Sequence, residues 1–426
     1  MRTVLLVVFA VGLLQGQSSD PQRLTLAEAE EIALRTNPRI AGAQAQALAV
    51  AQGEVQARAP LYPVLSGSLT GAGAPSDTRL AAGALNNPII FSRLASGVSA
   101  SQLLYDFGRT SALARTASQR ANAEFEVVKA TRSEILLGVH RAYYAGLRAE
   151  ALSRIAKGAI EARQSMVDYA RALAESQLKS ELDVRFAEVS LAEARLLLEN
   201  ATNERRVADA ELSAALGYAE PRRFQLVEEP PRELPSTDPL RLIGDAIANR
   251  PELAGRRFDV EAARSFVEAE RKLRFPAISA MASLGGTPFH DARLGNSYFA
   301  AGGVNITLPF LNGGLFNSRR VEAEQRATVA QRRLDELQQR IARDVAVAVV
   351  GAESAAQRTA LARSLVEQAS LALELAQARY DLGLSSIVEL SQAQLARTNA
   401  ELQQENARFD YQVQRLLVEY HTGALR

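Results

Sequence analysis

The chain is written twice, so whatever one half folds into, the other must be able to fold into as well. Asn37-Pro38-Arg39-Ile40-Ala41-Gly42 returns as Arg250-Pro251-Glu252-Leu253-Ala254-Gly255 at an offset of 213 (253 − 40). Pro63-Val64-Leu65-Ser66 returns as Pro276-Ala277-Ile278-Ser279 at the same offset. Gly97-Val98-Ser99 and Tyr105-Asp106-Phe107-Gly108 return as Gly303-Val304-Asn305 and Leu311-Asn312-Gly313-Gly314 at 206 (303 − 97), and Leu182-Asp183-Val184 keeps 206 with Val388-Glu389-Leu390. Matches in this order, with one seven-residue change in a loop (213 − 206), mark an internal duplication. All fifteen prolines lie within 1–88 and 221–309. Each copy therefore has a proline-bearing part followed by a proline-free one.

Each copy reads as short helix, helix, strand, loop, strand, long helix, long helix. Thr25-Leu26-Ala27-Glu28 has the spacing of a capping box, and Pro38 ends that helix and opens the next. Asp238-Pro239 caps the corresponding start, and Pro251 makes the same break. Val304, Ile306, Leu308 and Phe310 alternate with Asn305 and Thr307, and Leu94–Tyr105 repeats the pattern more weakly. Strands are expected at 61–73, 93–105, 275–285 and 297–310. Period-two runs of about ten residues bounded by glycine are what transmembrane barrel strands look like. The proline-free stretches are expected to be helical, 315–382 being about 100 Å long at about 1.5 Å per residue. Leu334, Leu337, Ile341, Val345, Leu361 and Leu365 form a narrow apolar seam with alanine around it, which is coiled-coil packing. The repeats span 19–216 and 238–426. Residues 217–237, with Glu228-Glu229-Pro230-Pro231, join them.

Composition narrows the function. Arg2, the apolar run Val4–Leu14 and a small, polar exit to Asp20 describe a secretory signal over 1–18. That run is too short for a bilayer-spanning helix, which needs about 20 apolar residues. No later segment has 18 uninterrupted apolar residues, so any membrane part is expected to be β-structured. Lys and Arg total 49 against 48 Asp and Glu, with none of the basic excess of nucleic-acid binders. With no cysteine and three distant histidines (His140, His290, His421), neither a metal centre nor any other cofactor is expected. No phosphate-binding loop, paired catalytic carboxylates or nucleophile-and-base arrangement occurs, so the chain is not expected to be an enzyme.

Several motifs, in order and duplicated, resemble the TolC family of outer-membrane efflux and secretion channels over essentially the whole mature chain. They are Leu24-Thr25-Leu26-Ala27-Glu28-Ala29 with Asn37-Pro38; Gln102–Arg109 and Leu308–Gly314 at the strand-to-helix junctions; and Ala378–Gly383 with Val388-Glu389-Leu390. The resemblance implies a mainly α fold with a small β part: a long coiled-coil α-barrel, and four strands per subunit in a trimeric twelve-stranded transmembrane barrel. It implies a passive conduit, in the outer membrane of a Gram-negative bacterium with a periplasmic helical extension, serving a tripartite efflux pump or a type I secretion system. The implied partners are two further copies in a homotrimer, a periplasmic adaptor, through it an inner-membrane pump, and outer-membrane lipid. The alternative is a soluble periplasmic coiled-coil adaptor or scaffold, against which the duplicated strand pairs count.

The resemblance also places candidate residues at the turns near 174–180 and 381–386. Glu389 falls on an acidic pore-entrance position, and Gln392 on a second one that is acidic in the best-known member. A ring of three Glu389 carboxylates would favour cations. Glu389 reads equally well as a solvated first-turn residue placed there by the helix dipole. Tyr380 and Asp183 match helix-latching positions, Ser385 stands where a latching arginine can sit, and Lys179 is its counterpart in the first copy. Tyr380 reads more readily as a packing residue than as a latch. Leu178, Gly383 and Leu384 are the expected adaptor contacts, with Gln177 replacing the glycine in the first copy.

Overall fold

The computed structural model describes residues 22–75, 92–178, 180–230, 238–292 and 295–425. The expected signal segment lies outside them. In chain order the elements are β1 (Gln22–Leu24), α1 (Leu26–Thr36), α2 (Pro38–Arg58), β2 (Val64–Ala72), β3 (Arg93–Tyr105), α3 (Arg109–Glu175) and α4 (Glu181–Ala215). Then follow β4 (Phe224–Leu226), α5 (Pro239–Asn249), α6 (Pro251–Arg271), β5 (Ala277–His290), β6 (Tyr298–Thr307), α7 (Leu315–Asp381) and α8 (Ile387–His421). The duplication holds to the residue in the helices. Paired helices have 11 and 11, 21 and 21, 67 and 67, and 35 and 35 residues.

The turns explain why. Eight described residues have positive φ, and they form four pairs 206 apart: Phe107 with Gly313, Gly108 with Gly314, Gln177 with Gly383, and Gly217 with Gly423. Each pair ends or begins a long helix, where the left-handed region is cheap for glycine alone. At Gly217 a Cβ would also fall 2.9 Å from the Thr36 carbonyl, and at Gly423 3.1 Å from the Asn249 carbonyl carbon. The start of α1 carries the expected capping box, Thr25 with Glu28. Asp106 accepts from the Gly108 and Thr110 amides at the start of α3.

Strand ends differ from expectation for local reasons. Residues 59–61 make a 3₁₀ turn, so β2 begins only after Pro63. The last strand stops at Thr307, because Pro309 has no amide to donate. β5 continues to His290, through a register shift opposite Leu94–Ser96. The joining segment holds β4, which pairs in parallel with β1.

The described chain packs as two compact units, each drawing on both repeats. One takes the described parts of 38–134, 236–350 and 417–426, including an antiparallel sheet in the order β2-β3-β5-β6. The two hairpins share one register: Val64 faces Ser101, and Ala277 (64 + 213) faces Thr307 (101 + 206). Cross-strand partners share a face. One face carries Leu65, Leu69, Val98, Ala282, Leu284, Val304 and Ile306; the other carries Ser66, Ser68, Ser99, Ser101, Ser283, Asn305 and Thr307. Within the unit both faces are largely open, with Leu69 73% and Ile306 63% exposed. Burying one such side chain contributes about 1.5–3 kcal/mol, so this apolar face calls for an apolar environment. Among the described residues no strand lies beside the outer edges, β2 and β6.

The other unit takes the described parts of 1–37, 135–235 and 351–416. Tyr143, fully buried, holds the β1–β4 pair. Its hydroxyl lies 2.9 Å from the Leu24 carbonyl and 2.7 Å from that of Val227, and it accepts from the Val227 amide at 3.0 Å. Burial is the main cause that pushes this phenol up to about 12, so it stays a donor across the physiological range. Arg205 on α4 reaches Asp209 at 3.0 Å, Glu150 on α3 and the Phe224 carbonyl on β4. One guanidinium thereby ties two long helices to the short strand pair.

Candidate functional site

The second unit contains the two helix-to-helix turns. Met166, Val167 and Ala170 of α3, Val184, Ala187 and Leu191 of α4, Ala376 and Tyr380 of α7, and Ile387 and Leu390 of α8 form one buried cluster behind them. The four helices therefore meet through small and medium side chains, and the turns sit on a packed base.

Both turns close the same way. The Leu178 amide donates to the Leu173 carbonyl at 2.9 Å, and the Leu384 amide to that of Arg379 at 2.8 Å, with Gln177 (φ 57) and Gly383 (φ 73) as the left-handed residues. Placing a residue other than glycine there costs about 1–2 kcal/mol. Glycine's greater freedom in the unfolded chain offsets part of any gain from removing that strain. Gln177→Gly is thus expected to stabilise the first turn by up to about 1 kcal/mol, and Gly383→Gln to cost a similar amount, read from thermal melts in detergent. Leu178 and Leu384 follow at 71% and 67% exposure, and Leu382 of the second turn is also bare, so both turns present exposed leucine.

The helices that leave these turns are capped alike. Ser180 accepts from the Leu182 amide and Asp183 accepts from the Ser180 amide at 3.3 Å, while Ser386 accepts from the Glu389 amide at 3.3 Å. Asp183 and Glu389, 206 apart, are therefore equivalent third residues of their helices. Glu389 also pairs with Arg379 at 3.3 Å, with its side chain 45% exposed. Exposed pairs of this kind are worth about 0–1 kcal/mol, which leaves the carboxylate available to a neighbour. Gln392, one turn on, is exposed.

Tyr380 is buried in the cluster, edge-on to Tyr169 at 6.4 Å between centroids. Burial chiefly, and then the negative charge of Asp183, hold its phenol above the usual value. The structure thus brings Tyr380 and Asp183 together within one chain. Ser385 is half-buried, and its hydroxyl has no hydrogen-bond partner among the described residues. Lys179 lies outside the described residues.

Two residues here gave no signal in the sequence. Arg163, 3% exposed, donates to the Ser190 carbonyl at 2.7 Å and links α3 to α4; burial lowers its pKa. Arg379 meets Glu389 only because the turn brings α7 back beside α8. No group of His, Cys, Asp and Glu side chains among the described residues is arranged to hold a metal ion. No described helix is long and apolar enough to cross a membrane.

Comparisons with known proteins bear on the family and the fold. FusA of Burkholderia cepacia, a fusaric acid resistance protein, is 27% identical over 218 residues, covering 49% of this chain and 40% of the relative. SrpC of Pseudomonas putida, the outer membrane protein of a solvent efflux pump, is 24% identical over 303 residues, covering 68% and 62%. The chain spans less than two thirds of either relative's length. The crystal structure of CusC, described with the formation of a transmembrane channel, superposes with a TM-score of 0.80 at 19% identity, covering 93% and 92% of the two chains. Its likeness carries the fold, mainly helical with a small β part. The family model for outer membrane efflux proteins matches twice, over residues 31–218 and 242–422, in keeping with the duplication. With most of its length matched, the chain belongs to the outer membrane efflux protein family.

Proposed function

We propose that three copies of the chain form a passive channel in the outer membrane of a Gram-negative bacterium, each lending its four strands to one twelve-stranded barrel. The observation that carries this reading is the sheet itself. Among the described residues it has a mainly apolar face, a mainly polar face and two edges without a strand beside them. Open edges cannot face lipid, and four strands are too few to close on themselves. Two further copies solve both problems, with the apolar face towards lipid and the serine-rich face towards water. Tyr298 and Phe289 lie on the apolar face near the end remote from the helices, where a barrel carries its aromatic girdle.

The helical hairpins would then serve as the periplasmic entrance. Three Glu389 carboxylates would set its charge, with Gln392 beside them. Leu178, Gly383 and Leu384 would offer the surface on which a periplasmic adaptor bridges to an inner-membrane pump. Tyr380, Asp183 and Ser385 would help hold the hairpins together. Energy would come from the pump, since the chain has no nucleotide-binding motif and no arrangement for catalysis. The names of the relatives, a resistance protein and a solvent pump component, favour small molecules as cargo.

Fractionation and conductance test this reading. The protein is expected in outer-membrane fractions, released only by detergent, and to open channels in planar bilayers. Recovery from the soluble periplasm, with no conductance, would favour the coiled-coil scaffold instead.

A further inference from the structure

On the polar face of the sheet most side chains are small, but at the end remote from the helices Phe299, Arg93 and His290, the cross-strand partner of Arg93, are not. Phe299 on β6 faces Gly285 on β5, which in turn faces Gly97 on β3. A Cβ on Gly285 would lie 2.5 Å from the Phe299 ring carbon Cζ, and one on Gly97 2.8 Å from it. The ring therefore lies flat across a floor cleared by two glycines. Arg93 lies four residues from Gly97 along the regular β2–β3 register, on the same face. It is exposed and pairs with no carboxylate among the described residues. Arg93 and Phe299 line one depression of about 400 Å³ with Ser68, Thr70, Thr287 and Asn296. They are also the same position of the two repeats, because 93 + 206 = 299.

We infer that Arg93 and Phe299 form an anion-attracting collar at the outer mouth of the channel. The inference rests on the trimeric reading above: three copies would place Arg93 and Phe299 alternately around the lumen at one level, as the duplication relates them. The guanidinium attracts carboxylates and other oxyanions and can bind them through two parallel hydrogen bonds. The phenyl face beside it takes an apolar or aromatic body. The favoured class is small organic anions leaving the channel. Asp291 lines the neighbouring depression together with Arg93.

The test is ion selectivity of the purified wild-type protein and of Arg93→Gln in planar bilayers under a potassium chloride gradient. Arg93→Gln is expected to raise the potassium-to-chloride permeability ratio about two-fold or more at 0.1 M, while Arg93→Lys keeps the wild-type ratio. The effect should shrink at 1 M, where the screening length falls from about 10 Å to about 3 Å. Glu389→Gln should move the ratio the other way. Sodium benzoate added on the outer side should reduce the wild-type current more than that of Arg93→Gln. A conducting protein whose ratio Arg93→Gln leaves unchanged at low salt overturns the collar alone. A wild-type protein that opens no channel overturns the channel reading and the collar with it.

Discussion

Cysteines introduced at Ile306 and Leu69 are expected to join neighbouring chains into a covalent trimer on mild oxidation. The pairing follows from the duplication. The β2–β3 and β5–β6 hairpins have the same register once the offsets of 213 and 206 are applied. The β3–β5 pair, where the two repeats meet inside one chain, is then the template for the contact of β6 with β2 of the next copy. Ala100 faces Ala282 in that template, and 100 + 206 and 282 − 213 give Ile306 facing Leu69. Ser99 facing Ser283 gives Asn305 facing Thr70 in the same way. Directly opposed residues alternate between two Cα spacings, of about 4.5 and about 5.5 Å, so testing both pairs covers both geometries. The chain has no native cysteine to confuse the result. Pairing Ile306 with Thr70 instead should fail, because a slip of one residue puts the two side chains on opposite faces.

Arg205→Met should cost about 3–5 kcal/mol, the effect seen when one partner of a buried ion pair is removed. The Asp209 side chain is 8% exposed and would be left without its cation, and the Phe224 carbonyl would lose its donor. Melting of the helical circular-dichroism signal in detergent should shift down clearly. The double variant Arg205→Met, Asp209→Leu should recover much of the loss, because the stranded charge goes with its partner. A single variant as stable as wild type would mean that the network contributes little.

Glycine and proline marked much of what was visible of this fold in the sequence. Gly313-Gly314 and Gly383 announce left-handed turns, and Pro38 and Pro251 announce helix breaks, so the repeat and its helices follow. Their first-copy equivalents Phe107 and Gln177 adopt the same backbone without looking like turn residues. Tertiary packing of the adjoining helices holds them there against local preference. β1 and β4, three residues each, are too short to show a period, and Tyr143 that fixes them lies far away in sequence. Alternation placed the strands but not their ends, which Pro63, Pro309 and the β5 irregularity decide.

The residues at the turns between the long helices divide along the same line. Glu389 was visible as a first-turn acid, whereas the Arg379 that pairs with it sits ten residues back across a turn. Tyr380 sits at a helix end, where a sequence gives no measure of burial, and only the four-helix cluster shows it enclosed. Arg93 and Phe299 became a pair only through the register of the sheet.

The measurement that bears most directly on the account is the detergent-corrected mass of the protein extracted from outer membranes. The shared barrel predicts about three times the mass of the mature chain. A detergent-solubilised monomer, or a protein that needs no detergent at all, would contradict it.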